Sequence, residues 1–239
     1  MQLIPVPTRI MQPPQDDLLA VLTDSLPVLK EKDVVLISSK VVAIHEGRTI
    51  LPTEVDKKAL VTEAADLIIP RSYGTKPLIV AHNTFLSAAG IDESNGNGYY
   101  ILLPEDVFAS AKHLHQWLRE KFNLVEVGVV IVDSHSGPFR FGATGISLGW
   151  WGIEPLEDCR GREDLFGRVM KHERSNIVDG LAAGATVLMG EVDECTPVVI
   201  AREIPRLKFI DGDTSNHLLA SFEEDTFRVL YEHFLKEKD

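Results

Sequence analysis

The chain contains few of the residues on which several protein classes depend. It has two cysteines in 239 residues, Cys159 and Cys195, and it has neither a Cys-x-x-Cys pair nor a Cys/His cluster with zinc spacing. Lys and Arg total 24 against 36 Asp and Glu, which gives a net charge of −12, and no Lys/Arg-rich block is present. The composition therefore argues against a disulfide framework, a zinc module and a nucleic-acid-binding surface.

Long apolar segments and a targeting signal are also missing. No apolar run approaches the roughly 18 residues of a transmembrane helix, and the amino terminus lacks the charged start and apolar stretch of a signal peptide. We therefore expect a cytoplasmic protein with reduced thiols and no membrane partner.

Common nucleotide and metal fingerprints are absent as well. Neither GxxxxGK[ST] nor GxGxxG occurs, so the two standard nucleotide loops are excluded, and HExxH is missing too. Ser134 and His135 are adjacent in sequence, an arrangement that does not favour a hydrolytic Ser-His-Asp triad. Any nucleotide or metal chemistry must therefore use a less familiar set of residues.

What is present is the composition of an ordinary globular protein. Hydrophobic residues make up 44% and charged residues 25%. At roughly 150 residues per domain, we expect residues 1–239 to form a single unit, either undivided or built from two tightly associated subdomains without a linker. Hairpins mixed with separated helices, without regular βαβ alternation, predict an α+β fold.

The apolar patterns predict the main elements. Strands are expected at 3–6, 34–37, 125–132 and 198–201, with a hairpin over 77–86. Helices are expected after Asp16-Asp17 and over 53–67, 109–122, 176–188 and 222–235. Gly137, Gly142, Gly145, Gly149 and Gly152 indicate tight turns and close backbone approach.

Three acids follow apolar runs and are the candidates for metal chemistry. Asp92, Asp133 and Glu191 come from separated parts of the chain, and Ser134 adds a hydroxyl. A carboxylate beside a buried run needs a cation or hydrogen-bond donors, and Mg²⁺ and Mn²⁺ prefer oxygen ligands. Each acid taken alone is equally consistent with a turn or a helix cap.

Several basic residues are candidates for binding phosphate or carboxylate groups. They are Lys40, Arg48, Arg140, Arg160, Arg162 and Arg168. Each is also consistent with an ordinary surface residue or an ion pair, because such side chains are mostly exposed.

A series of motifs carries a family resemblance. In chain order they are Glu46-Gly-Arg48, Gly90-Ile-Asp-Glu-Ser-Asn95, Leu102-Leu-Pro-Glu-Asp106, Ser110-Ala111, Val127-Gly-Val-Val-Ile-Val-Asp-Ser134, Phe139-Arg-Phe-Gly142, Gly149-Trp-Trp-Gly-Ile153, Arg160-Gly-Arg-Glu-Asp-Leu-Phe-Gly-Arg168, Asp179-Gly-Leu-Ala-Ala183 and Leu188-Met-Gly-Glu191. Over roughly residues 31 to 202, the chain resembles the coenzyme F420-0:L-glutamate ligase (γ-glutamyl ligase) family.

The resemblance implies a fold and an activity. It implies the F420 ligase fold in an intertwined homodimer, and a GTP-dependent ligase that joins L-glutamate to coenzyme F420-0 through a γ-linked amide. It also implies two divalent cations per subunit, Mg²⁺ or Mn²⁺, with K⁺ as a further cation. The expected partners are therefore L-glutamate, GTP, an F420-0-like acceptor and a second copy of the chain.

The resemblance also implies roles for individual residues. Asp92, Asp133, Ser134 and Glu191 are the implied metal ligands, with Ser134 standing where the family usually has Thr. The implied catalytic residues are Asp92, Asp133 and Arg140. The implied nucleotide contacts are Ser39, Lys40, Asn95 and a later loop made of Met189, Gly190, Glu191, Val192, Asp193, Glu194, Cys195 and Thr196.

Three departures from the family pattern leave alternatives open. The amino-terminal Gly-x-Pro segment of the family corresponds to 8–13 here, Ile44 replaces a usual Lys, and Phe139 precedes Arg140 where Trp is usual. The alternatives are a paralogous amide ligase with a different acceptor and a non-catalytic dimer that binds metal or nucleotide.

Overall fold

The structure is a computed structural model that describes residues 1–71 and 76–235. The helices are α1 (Leu18–Ser25), α2 (Ser39–His45), α3 (Lys57–Ala64), α4 (Val107–Phe122), α5 (Ile177–Met189) and α6 (Ser215–Leu218). The strands are β1 (Gln2–Val6), β2 (Val34–Ser38), β3 (Thr49–Ile50), β4 (Leu67–Ile69), β5 (Leu78–Ala81), β6 (Thr84–Phe85), β7 (Tyr100–Ile101), β8 (Gly128–Ser136), β9 (Ala143–Trp151), β10 (Leu156–Asp158), β11 (Arg174–Asn176) and β12 (Val198–Arg202). This architecture agrees with the predicted α+β class; the homodimer stays a prediction.

A five-stranded sheet forms the centre of the fold, in the order β1-β12-β2-β8-β9. Strands β2 and β8 are parallel, and the other neighbours are antiparallel. Because β2 and β8 run side by side in the same direction, the last residue of β2, Ser38, pairs with Val132, beyond which β8 continues to Ser136. The polar residues that follow these two positions are thereby brought to one edge of the sheet.

Alternate residues of the central strands pack into two different cores. Val35 of β2 and Val129 of β8 face the core that contains α1, α2 and α4. Val34 and Val130, one position away, face the core that contains α5. Side chains alternate between the two faces of a strand, so a sheet covered on both faces needs continuous apolar runs. This is why 34–37 and 128–132 carry almost no polar residue.

Short polar side chains fix where the helices begin. The carboxylate of Asp17 accepts hydrogen bonds from the first backbone N–H groups of α1, and Asp56, Asp106 and Asn176 do the same for α3, α4 and α5. At its carboxyl end α5 stops at Gly190, whose φ of 74° favours glycine. These caps place the loop that follows α5 beside the end of β8.

Two predicted helices differ from the structure. The segment 222–235 forms turns with short 3₁₀ segments at Arg228–Leu230 and Glu232–Phe234, so the prediction of a helix was wrong. Its apolar residues Phe222 and Tyr231 pack on the small sheet β4-β5-β6, and the Tyr231 hydroxyl donates to Asp225. Helix α3 is shorter than predicted because the chain enters β4 at Leu67.

The glycine-rich middle contains both expected turns and a strand, since Gly142 and Gly152 have φ values of 90° and 83° on either side of β9. Gly145 and Gly149 lie within β9, and a Cβ on Gly145 would lie 2.3 Å from the backbone oxygen of Ala182 in α5. A Cβ on Gly149 would lie 2.8 Å from the backbone oxygen of Val107 in α4. Close backbone approach is therefore confirmed, and it explains why β9 has glycine at positions 145 and 149.

Throughout 1–71 and 76–235, none of the helices is both long enough and apolar enough to cross a bilayer.

Candidate active site

The site begins where β2 passes directly into α2. Ser39 is buried as the first residue of α2, and Lys40 follows it. The Nζ atom of Lys40 lies 2.7 Å from Oδ2 of Asp92 and also donates to the backbone oxygen and hydroxyl of Ser94. The second strand therefore delivers a lysine to a carboxylate that is more than fifty residues away in sequence.

Asp92 is held in place by the turn that it begins. Its backbone pairs with Ile101, and its Oδ1 accepts hydrogen bonds from the backbone N–H and the hydroxyl of Ser94, at 2.8 Å and 2.9 Å. Burial opposes ionisation of Asp92, but the contacts with Lys40 and Ser94 outweigh it and hold the pKa below its usual range. Asp92 is therefore an anion that the protein already stabilises.

Asp133 lies in the neighbouring strand in a very different environment. It is paired with Ile146 inside β8, which continues to Ser136, so the prediction that the strand ends before Asp133 was wrong. Burial raises the pKa of Asp133 to about 6, and the nearby negative charge of Asp92 adds to the rise. Hydrogen bonds from the Ser134 N–H and the Ser39 side chain, together with Lys40, only partly offset the burial. The Asp133 carboxylate thus lacks sufficient counter-charge.

The loop after α5 completes the arrangement. Glu191 is exposed, and its Oε2 accepts a hydrogen bond of 3.4 Å from the Ser134 hydroxyl. The side-chain amide of Asn95 donates to the backbone oxygen of Val192 at 2.8 Å, which joins the Asp92 turn to this loop. Glu194 accepts from the backbone N–H of Val192, so the loop is also closed by its own side chain.

These residues line one cavity of about 590 Å³, a size typical of small-molecule sites. Of the residues predicted to contact metal or nucleotide, the structure brings together Lys40, Asp92, Asn95, Asp133, Ser134, Met189, Gly190, Glu191, Val192, Asp193, Glu194, Cys195 and Thr196. Ser39 instead lines a second cavity, which shares a wall with the first. These separated segments therefore line one cavity, and the roles of their residues in binding metal or nucleotide stay predictions.

Arg140 stands apart from the other candidates. It lies in the turn between β8 and β9, and its guanidinium donates to the backbone oxygen of Phe139. It is not among the residues that line either cavity in the described part of the chain. A catalytic role for Arg140 stays a prediction.

The same cavity contains the segment 8–13, which the resemblance matched to the amino-terminal segment of the family, and further residues that the sequence did not indicate. The segment 8–13 lines one side of it, with Arg9 paired bidentately to Asp16. Thr186 of α5 also lines it. The cis peptide bond between Pro13 and Pro14 lies beside this segment, and the Pro-Pro pair was the available signal for a shaped loop.

A serine motif that sequence reasoning overlooked is structural. Gly145-Ile-Ser-Leu-Gly149 fits the GxSxG pattern of a nucleophile elbow. However, Ser147 is buried inside β9, and both its backbone N–H and its hydroxyl donate to Oδ1 of Asp179. An elbow requires a strand-to-helix turn with an exposed hydroxyl, so this serine is not a nucleophile.

The carboxylates form an open arrangement rather than a closed metal cage. Within 1–71 and 76–235, no three His, Cys, Asp or Glu side chains lie close enough together to hold a metal ion by themselves. Lys40 stands next to Asp92, and Ser134 joins Asp133 to Glu191. Mg²⁺ is commonly held by one or two carboxylates, with substrate phosphates and water as further ligands, and Asp92 and Asp133 fit that kind of site.

Comparison with known proteins identifies the family. Residues 6–203 match the family model described as F420-0:Gamma-glutamyl ligase. The coenzyme F420:L-glutamate ligase of Methanopyrus kandleri is 35% identical over 94% of this chain and 96% of its own length. The protein of the same name from Methanococcus maripaludis strain C7 is 35% identical, over 95% of this chain and 97% of its own. The Halobacterium salinarum R1 protein of that name is 32% identical, over 89% of this chain and 90% of its own.

The family match, over residues 6–203, covers β2, β8, β9 and β12 of the central sheet, the Asp92 turn and the loop after α5. These matches confirm the family predicted from the motifs and, with it, the class of enzyme, a ligase. The chain belongs to the F420-0:gamma-glutamyl ligase family.

Proposed function

We propose that this chain joins L-glutamate to coenzyme F420-0, or to a similar carboxylate, through a γ-linked amide, with GTP as the energy source. The relatives that are 35% identical over most of its length carry the name coenzyme F420:L-glutamate ligase. The single observation that carries the proposal for this chain is the gathering of Lys40, Asp92, Asp133 and Glu191 around one cavity. Such a set suits phosphoryl transfer, which depends on positioning and charge neutralisation rather than on a protein nucleophile.

The reaction proceeds in two balanced steps. An oxygen of the acceptor carboxylate attacks the γ-phosphorus of GTP, the bond to the β-phosphate oxygen breaks, and GDP leaves. The amine of glutamate then attacks the carbonyl carbon of the acyl phosphate. The C–O bond to phosphate breaks, phosphate leaves, and the nitrogen loses a proton to solvent. In these two steps, Lys40 provides a positive charge of this chain beside the phosphoryl group that is transferred.

Divalent cations fit this site as charge partners. Asp92 and Asp133 would hold the first ion, and Ser134 and Glu191 would contribute to the second. Asp133 is partly buried and its pKa is raised to about 6, so a bound cation would stabilise its ionised carboxylate. When bound, such ions neutralise the triphosphate charge that the acidic cavity would otherwise repel. K⁺ as an additional cation remains part of the proposal without a specific set of ligands.

Mass spectrometry of the product tests the function directly. With F420-0, L-glutamate, GTP and Mn²⁺, we expect a product heavier than F420-0 by one glutamyl residue, and GDP release that depends on glutamate. Asp133→Asn should abolish both, whereas Asp213→Asn, an exposed change away from both cavities, should not. No product from the wild-type protein, or full activity of Asp133→Asn, contradicts the proposal. A parallel reaction with ATP tests the choice of nucleotide.

One observation favours a second candidate, a paralogous ligase with a different acceptor. Ile44 is buried and lines the nucleotide cavity at a position where the resemblance implies Lys. The loss of a cation there changes what the cavity recognises. Replacing F420-0 with other small carboxylic acids in the same assay separates the two candidates, because only the true acceptor gains mass.

We propose a homodimer on the basis of exposed apolar side chains. Phe139 and Phe141 at the β8–β9 turn are 97% and 108% exposed, and Leu165 and Phe166 are 98% and 95% exposed. Such side chains are typical of a surface that another chain covers. Arg140 lies between these two phenylalanines in the sequence. In the proposed homodimer, its predicted catalytic role would therefore depend on how the second chain covers this turn. Light scattering on the purified protein tests the dimer, and a monomer at micromolar concentration contradicts it.

A further inference from the structure

A second cavity, of about 410 Å³, lies on the other side of the catalytic carboxylates. It shares Lys40, Asp92, Asp133 and Ser134 with the nucleotide cavity, and these four residues form the wall between the two. A group at the end of the nucleotide triphosphate would meet this wall from one side. A molecule in the second cavity would meet it from the other side, so the geometry suits transfer between two bound substrates.

The two cavities differ in their ionisable residues. The nucleotide cavity contains two basic residues against five acids, namely Arg9, Lys40, Asp92, Asp133, Glu191, Asp193 and Glu194. The second cavity contains three lysines against three acids, namely Lys40, Lys57, Lys76, Asp92, Glu93 and Asp133. The second cavity is balanced in charge, whereas acids outnumber basic residues in the nucleotide cavity, so in a chain with a net charge of −12 the second cavity repels an anion less than the first does.

Lys57 is positioned before any ligand arrives. It is the first residue of α3, and its ammonium pairs with Glu93 and lies 5.0 Å from the ring centroid of Tyr100. Only 29% of its side chain is exposed, so little conformational freedom remains to be lost on binding. Lys76 lies just before β5 and lines the same cavity, so the two lysines come from different parts of the fold.

A strained turn forms another part of the wall. Ala88 and Ala89 have φ values of 51° and 54°, and Gly90 has a φ of 77°, so three successive residues are left-handed. The backbone at Gly90 lies so close to Leu103 that a Cβ would overlap its side chain at 2.6 Å. Left-handed alanines cost free energy and are retained where they shape a site. The cavity is therefore a built feature of the fold.

We propose that this second cavity binds the carboxylate substrates of the ligation, with Lys57 and Lys76 contacting a carboxylate and holding it against the wall shared with the nucleotide. The inference rests on the proposed function and adds to it the place and the residues of the substrate that is not a nucleotide. The carboxylate belongs either to the amino acid or to the acceptor, and binding measurements distinguish them.

Isothermal titration calorimetry of single variants tests the inference. The protein is loaded with Mn²⁺ and a non-hydrolysable GTP analogue and titrated separately with L-glutamate and with F420-0. We expect Lys57→Gln and Lys76→Gln to weaken one of the two at least about tenfold, because each variant removes a charge-assisted hydrogen bond. The Kd of the GTP analogue should change less than about twofold. Lys58→Gln, the exposed neighbour on α3 outside both cavities, is the matched control and should leave every Kd unchanged.

The outcomes separate this inference from the proposed function. Unchanged Kd values for both carboxylates in both variants overturn it, and so does an equal loss of nucleotide affinity, which would make the cavity part of the nucleotide site. Whichever carboxylate weakens identifies the occupant. If the wild-type protein forms no amide product in the mass spectrometry assay, the proposed function fails instead.

Discussion

Replacing Asp133 with asparagine should make the metal-free protein more stable while removing its function. Burial raises the pKa of this carboxyl from the ordinary 3.8 to about 6, and a difference of that size corresponds to about 3 kcal/mol at 1.36 kcal/mol per pKa unit. Because Asp133 keeps some exposed area, we take about 1–3 kcal/mol as the expected gain near neutral pH. The asparagine oxygen can still accept the hydrogen bond that the Ser134 N–H donates to Asp133.

The sign of the pH dependence follows from the raised pKa. Between the unfolded value of 3.8 and the folded value of about 6, the native state holds the proton that the unfolded state has lost. The cost of ionised Asp133 is therefore absent at low pH, grows as the pH rises through this window and is complete above it. The stability difference between Asp133→Asn and wild type should shrink as the pH falls towards 4.

Thermal unfolding in the presence of a chelator measures both effects. Each kcal/mol shifts the melting temperature of a domain of this size by about 2–4 °C, so the expected gain is several degrees. Asp213→Asn is the matched control, since hydrogen bonds from Ser215 lower the pKa of Asp213 and its loss should not stabilise the protein. Added Mn²⁺ should raise the melting temperature of wild type alone. A variant that melts at or below the wild-type temperature near neutral pH refutes the account of Asp133 as an under-compensated charge.

Four further substitutions test the scaffold and the loops. Gly145→Ala should destabilise the protein by about 1–3 kcal/mol in urea unfolding, because its Cβ would meet the backbone of α5 at 2.3 Å. Gly180→Ala in α5, where nothing lies within 4 Å of the new Cβ, should stabilise it by about 0.5–1 kcal/mol, and equal effects of the two changes contradict the packing argument. Arg202→Met should cost about 3–5 kcal/mol, because it leaves the fully buried Asp33 without its ion pair, and a loss below about 1 kcal/mol contradicts this. Asn95→Ala should raise the KM for the nucleotide several-fold with little change in melting temperature, because it releases the loop after α5; an unchanged KM contradicts a role for that hydrogen bond.

Much of the central sheet was predictable because its signal is local. The β-branched runs at 34–37 and 198–201 favour buried strands. Asp17 and Asn176 cap helices, and a cap acts within one helical turn. In contrast, 222–235 has helical spacing that tertiary packing on the small sheet overrides. Strand β9 was hidden because its glycines have low strand propensity and are required only by the nearness of α4 and α5.

The sequence indicated candidate residues for the site but not their geometry, and the roles of these residues stay predictions. Family motifs indicated Asp92, Asp133 and Glu191, but the number of residues between them does not give the distances between their side chains in the fold. Their actual neighbours depend on how the Asp92 turn and the loop after α5 fold against the sheet. Lys57 gave no signal of its own, because a lysine at the start of an exposed helix has no local pattern that separates it from a surface residue.

Under the proposed function, the different surroundings of the two aspartates account for a requirement for ions as well as lysines. Lys40 already satisfies Asp92, at 2.7 Å, and it only partly offsets the burial of Asp133. A divalent cation bound at Asp133 would neutralise that charge. The free energy of metal binding would therefore include relief of the destabilisation that the uncompensated carboxylate causes in the metal-free protein. The lysines of the second cavity would serve a different need, because they would bind a carboxylate substrate through ammonium groups and leave its reactive oxygen free of a metal ion. Two anionic substrates would thereby be held on opposite sides of one wall, the nucleotide through ions and the carboxylate through ammonium groups.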